Sequence, residues 1–220
     1  KFCFAWRSLE EHALAVVSAL KEGMERGREK VGLLVSRDTA SLDRDHILSA
    51  GFESMTENLN DSIIAPLFWF TLLGLPGAAA CRAINTMDAM LGYQDERERL
   101  GWCTARMDDI MNFIPARVTV LLLLAWFALK GTLPQAWRVM QRDGHLRPGF
   151  NGGIIMGAMA GGTCTRFEKP GIYRIGDGNR TLDEAGADIL SAVRAVTVMY
   201  AALTCSTLIL LGAVINHLGI

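Results

Sequence analysis

The run AVTVMYAALTCSTLILLGAVI, from Ala195 to Ile215, holds no charged side chain. A helix needs about 20 predominantly apolar residues to cross the hydrocarbon core of a bilayer, and this run meets that length. Two other stretches approach it. Residues 62–81 (SIIAPLFWFTLLGLPGAAAC) are uncharged but interrupted by Pro66 and by Gly74-Leu75-Pro76-Gly77. Residues 113–129 (FIPARVTVLLLLAWFAL) carry Pro115 and Arg117 near their start. Read together, they predict an all-α protein, a multi-pass integral membrane helical bundle with polar extramembrane helices and loops. The expected organisation is one membrane-embedded domain over 1–220. Residues 1–61 supply polar helices, 62–81, 113–129 and 195–215 the membrane segments, and 130–194 a glycine-rich loop and helix region.

Charge and cysteine usage narrow the function. The 22 basic and 23 acidic side chains almost cancel, which argues against a nucleic-acid partner. Half the residues are hydrophobic, too many for a disordered chain. Five dispersed cysteines without a CxxC pair read as reduced thiols, with neither a zinc site nor a disulfide framework. The opening KFCFAWRSLEEH is too weakly apolar for a signal peptide.

The polar helices can be traced by their spacing. Ser8 and Glu11 have the pattern of a capping box, and Leu9, Ala13, Val16, Val17 and Leu20 then share one helical face. Asp43 can cap a second helix whose apolar stripe is Leu48, Phe52, Met55 and Leu59. Its opposite stripe carries His46, Glu53, Glu57 and Asn60. These carboxylates therefore stand at the lip of the apolar segment 62–81, where removing a charge from water is costly. Gly149, Gly153, Gly157 and Gly161 fall four apart, a small-residue ridge against which another helix can pack closely. The alternative is a set of backbone amides offered to a phosphate. Residues 168–181 read as a turn-rich loop, and no stretch has a convincing strand pattern.

The densest polar text is RAINTMDAMLGYQDERERLGWCTARMDDIMNFIPAR, residues 82–117. Asn85 and Asp88 are helical neighbours, as are Asp108 and Asn112, and Arg106 and Asp109. The QDERER stretch reads as a solvated turn. The paired aspartates Asp108 and Asp109 at the mouth of an apolar segment call for compensation by arginine, by a hard cation such as Mg²⁺, or by both. Acids able to hold Mg²⁺, arginines able to fork onto phosphate and amides for orientation suit a nucleotide or phosphorylated substrate. No P-loop and no nucleophile elbow is present in the sequence.

Several blocks carry a resemblance: LLVSRDTASLD, ESMTENLNDSIIAPLF, NTMDAMLGY, ARMDDIMNFIPAR, and the NGG and AMAGG segments followed by KPGIYRIGDG. In this order, over nearly the whole chain, they resemble the adenosylcobinamide-phosphate synthases, the CbiB/CobD-type membrane proteins of cobalamin biosynthesis. Ser36, Ser62 and Ile155 stand where that family tends to have Gly, Gly and Pro.

The resemblance implies an ATP-dependent amide ligase that joins adenosylcobyric acid to (R)-1-aminopropan-2-ol O-phosphate through an acyl phosphate. ATP and Mg²⁺ serve as co-substrate and metal, and a corrinoid is substrate. On that basis Asp88, Asp108 and Asp109 are expected to bind the metal, and Arg37, Arg106 and Arg117 the phosphates. Asn58, Asn85 and Asn112 would orient substrate, and Glu53 or Glu57 would accept the amine's proton. The implied setting is the cell membrane, multi-pass, with lipid around it and the site facing the cytoplasm. A homo-oligomer or a complex with other membrane proteins of the pathway is compatible with it. If residues 62–81 span, Glu53 and Glu57 lie on the opposite side from Asn85 and Asp88. A re-entrant hairpin broken at residues 74–77 would bring them to one side. A transporter with intramembrane charges, or a non-catalytic subunit of a corrinoid-related membrane complex, is the rival reading. A CDP-alcohol phosphotransferase is disfavoured because Trp102-Cys103-Thr104 precede Ala105-Arg106.

Overall fold

The computed structural model of the chain describes residues 6–91 and 98–218. Helices dominate it: α1 (Trp6–Glu22), α2 (Met24–Gly32), α3 (Arg44–Leu59), α4 (Ala65–Leu91), α5 (Glu98–Leu129), α6 (Leu133–Asp143), α7 (Gly152–Thr163) and α8 (Leu182–Leu218). A π-helical turn, Asn60–Ile64, joins α3 to α4. Of the QDERER stretch, residues 94–97 lie outside the described residues.

Helix α3 lies at the centre. Asp43 caps it, its side chain accepting from the His46 N–H at 2.9 Å. Ile47, Leu48, Met55 and Leu59 have almost no exposed surface, and they pack with Val16 and Leu20 of α1 and Ile189, Val193 and Val196 of α8. Burying each large apolar side chain favours the fold by roughly 1.5–3 kcal/mol. Ser8 lies inside α1, which already runs at Trp6. The true capping box is Thr181 and Glu184 at the start of α8. There the Thr181 N–H donates to Glu184 Oε2 at 3.0 Å, and the Glu184 N–H to Thr181 Oγ1 at 3.3 Å.

The glycine ridge is a packing surface. A Cβ on Gly153 would run into the Gly144 carbonyl oxygen, and one on Gly157 would stand 2.8 Å from Met140 Cα. A Cβ on Gly161 would stand 2.8 Å from Ala136 Cα. Helices α6 and α7 thus meet backbone to backbone. Gly149 lies before α7, with φ 98°. Gly157→Ala is expected to cost about 1–3 kcal/mol, because its obstacle is main chain that cannot rotate away. A lowered unfolding midpoint in detergent would show it, and an unchanged midpoint would mean that α6 can slide at no cost.

One strand pair departs from the sequence reading. Phe167–Lys169 (β1) and Tyr173–Ile175 (β2) form an antiparallel hairpin within the stretch read as a loop. Strands of three residues are too short to display alternation. The buried Phe167 and Ile175 pin this hairpin to the core, while Lys169 and Tyr173 face each other in register.

Among the described residues, three helical stretches are long and apolar enough to cross a membrane: Arg44–Leu91, Gly101–Leu129 and Leu182–Leu210. The apolar runs 113–129 and 195–215 are the ends of longer helices, α5 and α8. The first stretch does not run straight. Gly74, with φ 66° and ψ −154°, breaks α4, and a Cβ on Gly77 would lie 2.6 Å from the Trp69 carbonyl oxygen, eight residues back. In a continuous helix eight residues separate atoms by about 12 Å, so the chain turns back on itself. Arg82 Nη1 accordingly donates to Ser62 Oγ at 3.1 Å. The first arm, 65–73, is about 14 Å long, half the thickness of a bilayer core. Residues 62–81 therefore form a helical hairpin, the shape that a re-entrant segment takes, and its tip exposes Leu72, Leu73 and Leu75.

A second device holds the hairpin. Pro115 has no N–H, so within α5 the carbonyl of Met111 loses its usual partner. The Trp69 indole N–H donates to that carbonyl at 3.0 Å.

Candidate functional site

Because α4 folds back, side chains from six segments converge on one cleft with two lobes. The first lobe, about 480 Å³, is lined by Arg37, Glu53, Glu57, Asn58, Arg147, Lys169 and Tyr173, among others. The second, about 370 Å³, is lined by Asp61, Asn85, Asp88, Asp108, Asp109 and Asn112, together with Asn60, Asn151 and the start of α7. Glu57, Asn58, Arg147 and Pro148 belong to both. Arg147 Nε donates to Glu57 Oε1 at 2.9 Å, so an ion pair forms the wall between the lobes.

In the first lobe Glu53 is almost fully buried and accepts from three donors: Ser49 Oγ, Tyr173 Oη at 2.8 Å and Arg37 Nη2 at 3.2 Å. Burial, together with the Glu53 and Glu57 carboxylates, pushes the Tyr173 phenol far above its usual range. Tyr173 therefore remains a proton donor at any physiological pH. With its oxygens so engaged, Glu53 fixes the positions of Arg37 and Tyr173. Glu57 is the more available carboxylate, half turned toward each lobe.

In the second lobe the π-helical turn shifts the register of the helix and directs Asn60 inward. Such bulges frequently mark functional sites. Asn60 Nδ2 donates to Asn112 Oδ1 at 3.0 Å and to Asp61 Oδ1 at 2.9 Å, while Thr119 Oγ1 donates to Asn60 Oδ1 at 3.0 Å. Asn85 Nδ2 reaches Asp108 Oδ1 at 3.4 Å. Asn58 is held by its own helix, donating to the Ser54 carbonyl at 2.9 Å and accepting from Ser62 Oγ at 2.8 Å.

The acidic lobe offers only oxygen donors, which suits a hard cation. Asp88 Oδ1 is buried without a hydrogen-bond partner. Among the described residues no three His, Cys, Asp or Glu side chains gather closely enough to hold one ion together. That arrangement fits Mg²⁺, which commonly takes one or two carboxylates and completes its shell with water and phosphate oxygens.

Two of the expected arginines stand outside both lobes. Arg106 pairs with Asp109 at 3.6 Å and is largely exposed. Arg117 donates to Asn151 Oδ1 at 2.6 Å and to the Phe150 carbonyl at 3.3 Å, and it stacks on the Phe113 ring. It anchors the loop after Arg147, as does Asn151 Nδ2, which donates to the Asp109 carbonyl at 3.0 Å. The sequence gives Arg147, Lys169 and Tyr173 no site role, and it places Asp61 at the lip of the apolar segment without one. Arg147-Pro148-Gly149 just ahead of the glycine ridge was the available signal for the first of them. Lys169 and Tyr173 lie in the KPGIYRIGDG block, which marked the stretch without assigning either a role.

The sequence is similar to that of known proteins. The family model described as "CobD/Cbib protein" matches residues 1–202. A protein of Methanothermobacter thermautotrophicus named "Probable cobalamin biosynthesis protein CobD" is 46% identical over 190 residues, 86% of this chain and 63% of its own. Identically named proteins of Pyrococcus abyssi and Thermococcus kodakarensis are 44% identical over 201 residues and 46% over 175. Those matches cover 91% and 79% of this chain, and 65% and 56% of the relatives. The chain thus spans less than two thirds of each relative's length. No solved structure matches it.

Proposed function

The chain belongs to the CobD/CbiB family, and from that membership we propose that it is an ATP-dependent amide ligase of cobalamin biosynthesis. It joins a propionate of adenosylcobyric acid to the amine of (R)-1-aminopropan-2-ol O-phosphate. The observation that carries this reading is the divided cleft, with four aspartates in one lobe and three cations set against two glutamates in the other, the lobes meeting at Glu57 and Arg147.

The chemistry needs both halves. A carboxylate is a poor electrophile, so one of its oxygens attacks the γ-phosphorus of ATP, the bond to the β,γ-bridging oxygen breaks, and ADP leaves. The neutral amine then attacks the acyl carbon. The acyl C–O bond breaks, inorganic phosphate leaves with its electron pair, and the amine's proton passes to Glu57. Positioning and electrostatic stabilisation are the main contributions a protein makes to such phosphoryl transfer. In this reading one or two of Asp88, Asp108 and Asp109 would hold Mg²⁺, which would supply charge neutralisation to the nucleotide. Asn85, Asn112 and Asn58 orient substrate. Neither lobe has room for a corrin macrocycle, so the corrin rests at the mouth, against apolar helices, with one propionate reaching inward.

The deciding experiment follows ATP consumption by the protein in detergent or nanodiscs with Mg²⁺, the two organic substrates being added singly and together. ADP release that requires both, with formation of a corrin amide, is the expected result. Corrin movement across a vesicle membrane without nucleotide turnover would replace this reading with transport.

A further inference from the structure

We infer that Asn60 and Thr119 are positioning residues of the second lobe. Together they form a buried, one-way chain of hydrogen bonds that sets the orientation of Asn112 and holds the Asp61 and Asp108 carboxylates in place to receive a cation. The inference deepens the ligase reading and rests on it only for the identity of that cation as Mg²⁺.

The direction of the chain follows from its ends. Asn60, Asn112 and Thr119 are buried, so their polar atoms must find partners within the protein. Asn60 has two N–H bonds and one carbonyl oxygen to place. An ionised carboxylate only accepts, and Asp61 Oδ1 lies 2.9 Å from Asn60 Nδ2. The amide nitrogen of Asn60 therefore faces Asp61, and its second N–H goes to Asn112 Oδ1 at 3.0 Å. The Asn60 oxygen is left facing Thr119 Oγ1, also at 3.0 Å.

Thr119 has one hydroxyl proton and two acceptors in reach, the Pro115 carbonyl and Asn60 Oδ1, each at 3.0 Å. The Pro115 carbonyl already has a helical partner in the Thr119 N–H. A proton turned to Pro115 would set two oxygens against each other in a buried place, at the cost of an unpaired acceptor, so it turns to Asn60. At the far end, Asn112 Oδ1 is occupied by Asn60, which directs the Asn112 N–H₂ to the Asp108 carboxylate, one turn back on α5. Every donor from Thr119 onward thus points toward a carboxylate, and reversing either amide would put an oxygen against Asp61 or Asp108. Asn60 lines the lobe and Thr119 does not, so Thr119 acts through Asn60. Removing such a hydrogen-bonded group from behind metal ligands typically lowers metal affinity about 10–100-fold.

The test is Mn²⁺ titration of the protein in detergent without nucleotide, the free ion being read by electron paramagnetic resonance, with unfolding midpoints taken on the same preparations. Thr119→Val keeps the shape of the side chain and removes the hydroxyl, and Thr119→Ala removes it without adding a methyl. Each should weaken Mn²⁺ about tenfold or more. Thr119→Ser keeps the hydroxyl and should restore wild-type affinity. Leu123→Ala is the packing control: Leu123 is buried one turn further along α5. Its truncation should lower the midpoint and leave Mn²⁺ affinity unchanged. Wild-type affinity in whichever hydroxyl-free variant folds overturns the inference. So does Thr119→Ser binding as weakly as Thr119→Val, or Leu123→Ala weakening Mn²⁺ as much as they do. The expected losses, in a protein whose wild type releases no ADP with both substrates present, would remove the ligase reading and leave the positioning pair standing. Substrate-dependent ADP release by a wild type that binds no Mn²⁺ without nucleotide would do the reverse.

Discussion

Asp108→Asn is expected to abolish amide formation while leaving the protein folded. Asp108 belongs to α5 and faces the second lobe with Asp61, Asp88 and Asp109. Asparagine has nearly the same shape, and it keeps an oxygen for the 3.4 Å contact from Asn85. What it removes is one negative charge from a lobe that contains four aspartates. Removing a single preorganised electrostatic contact typically costs about 10²–10³ in rate, and loss of a charged metal ligand should reach or exceed that. Stability should move the other way or not at all, because like charges at close quarters oppose folding. The two readouts are ADP release in the presence of both substrates and the unfolding midpoint of the same preparation. Arg106→Met is the contrasting variant: Arg106 is largely exposed and lines neither lobe, so near-normal turnover is expected. Wild-type turnover in Asp108→Asn would remove this lobe from the chemistry.

What could be read from the sequence was what lies close along it. The α3 stripe of Leu48, Phe52, Met55 and Leu59 is buried as its spacing required, and Asp43 caps that helix. The apolar runs gave the helical, membrane-competent architecture. The acidic and amide blocks each sit on one helix, so their internal neighbours followed from helical geometry. Arg147, Lys169 and Tyr173 were hidden for the opposite reason. They reach the cleft only through the packing of α7 against α6 and through a hairpin too short to show a period. Arg117 looked like a phosphate ligand because its charge was visible and its partners, Asn151 and the Phe150 carbonyl, were not. The capping box at Ser8 failed similarly. The same pattern recurs at Thr181, and only the start of each helix distinguishes the two.

Gly74→Val is expected to dismantle the cleft. The glycine adopts φ 66° with ψ −154°, a region essentially closed to residues with a Cβ, so a side chain there costs about 1–3 kcal/mol before any contact is counted. The relaxed alternative is a continuous helix through residue 74. Asp61 and Asp88 are 27 residues apart in sequence, so a straight helix would separate them by about 40 Å, whereas the folded hairpin brings both to one lobe. The variant should therefore lose turnover and Asp88-dependent metal binding together, with a lowered unfolding midpoint. The hairpin also predicts sidedness. Asp38 and Thr86 are both exposed, on either side of residues 62–81 in the chain. In proteoliposomes of a cysteine-free background, cysteines at positions 38 and 86 should react with an impermeant maleimide from the same face. Labelling from opposite faces would mean that residues 62–81 cross the bilayer. The cleft would then need another origin, because a straight span and a lobe shared by Asp61 and Asp88 are geometrically incompatible.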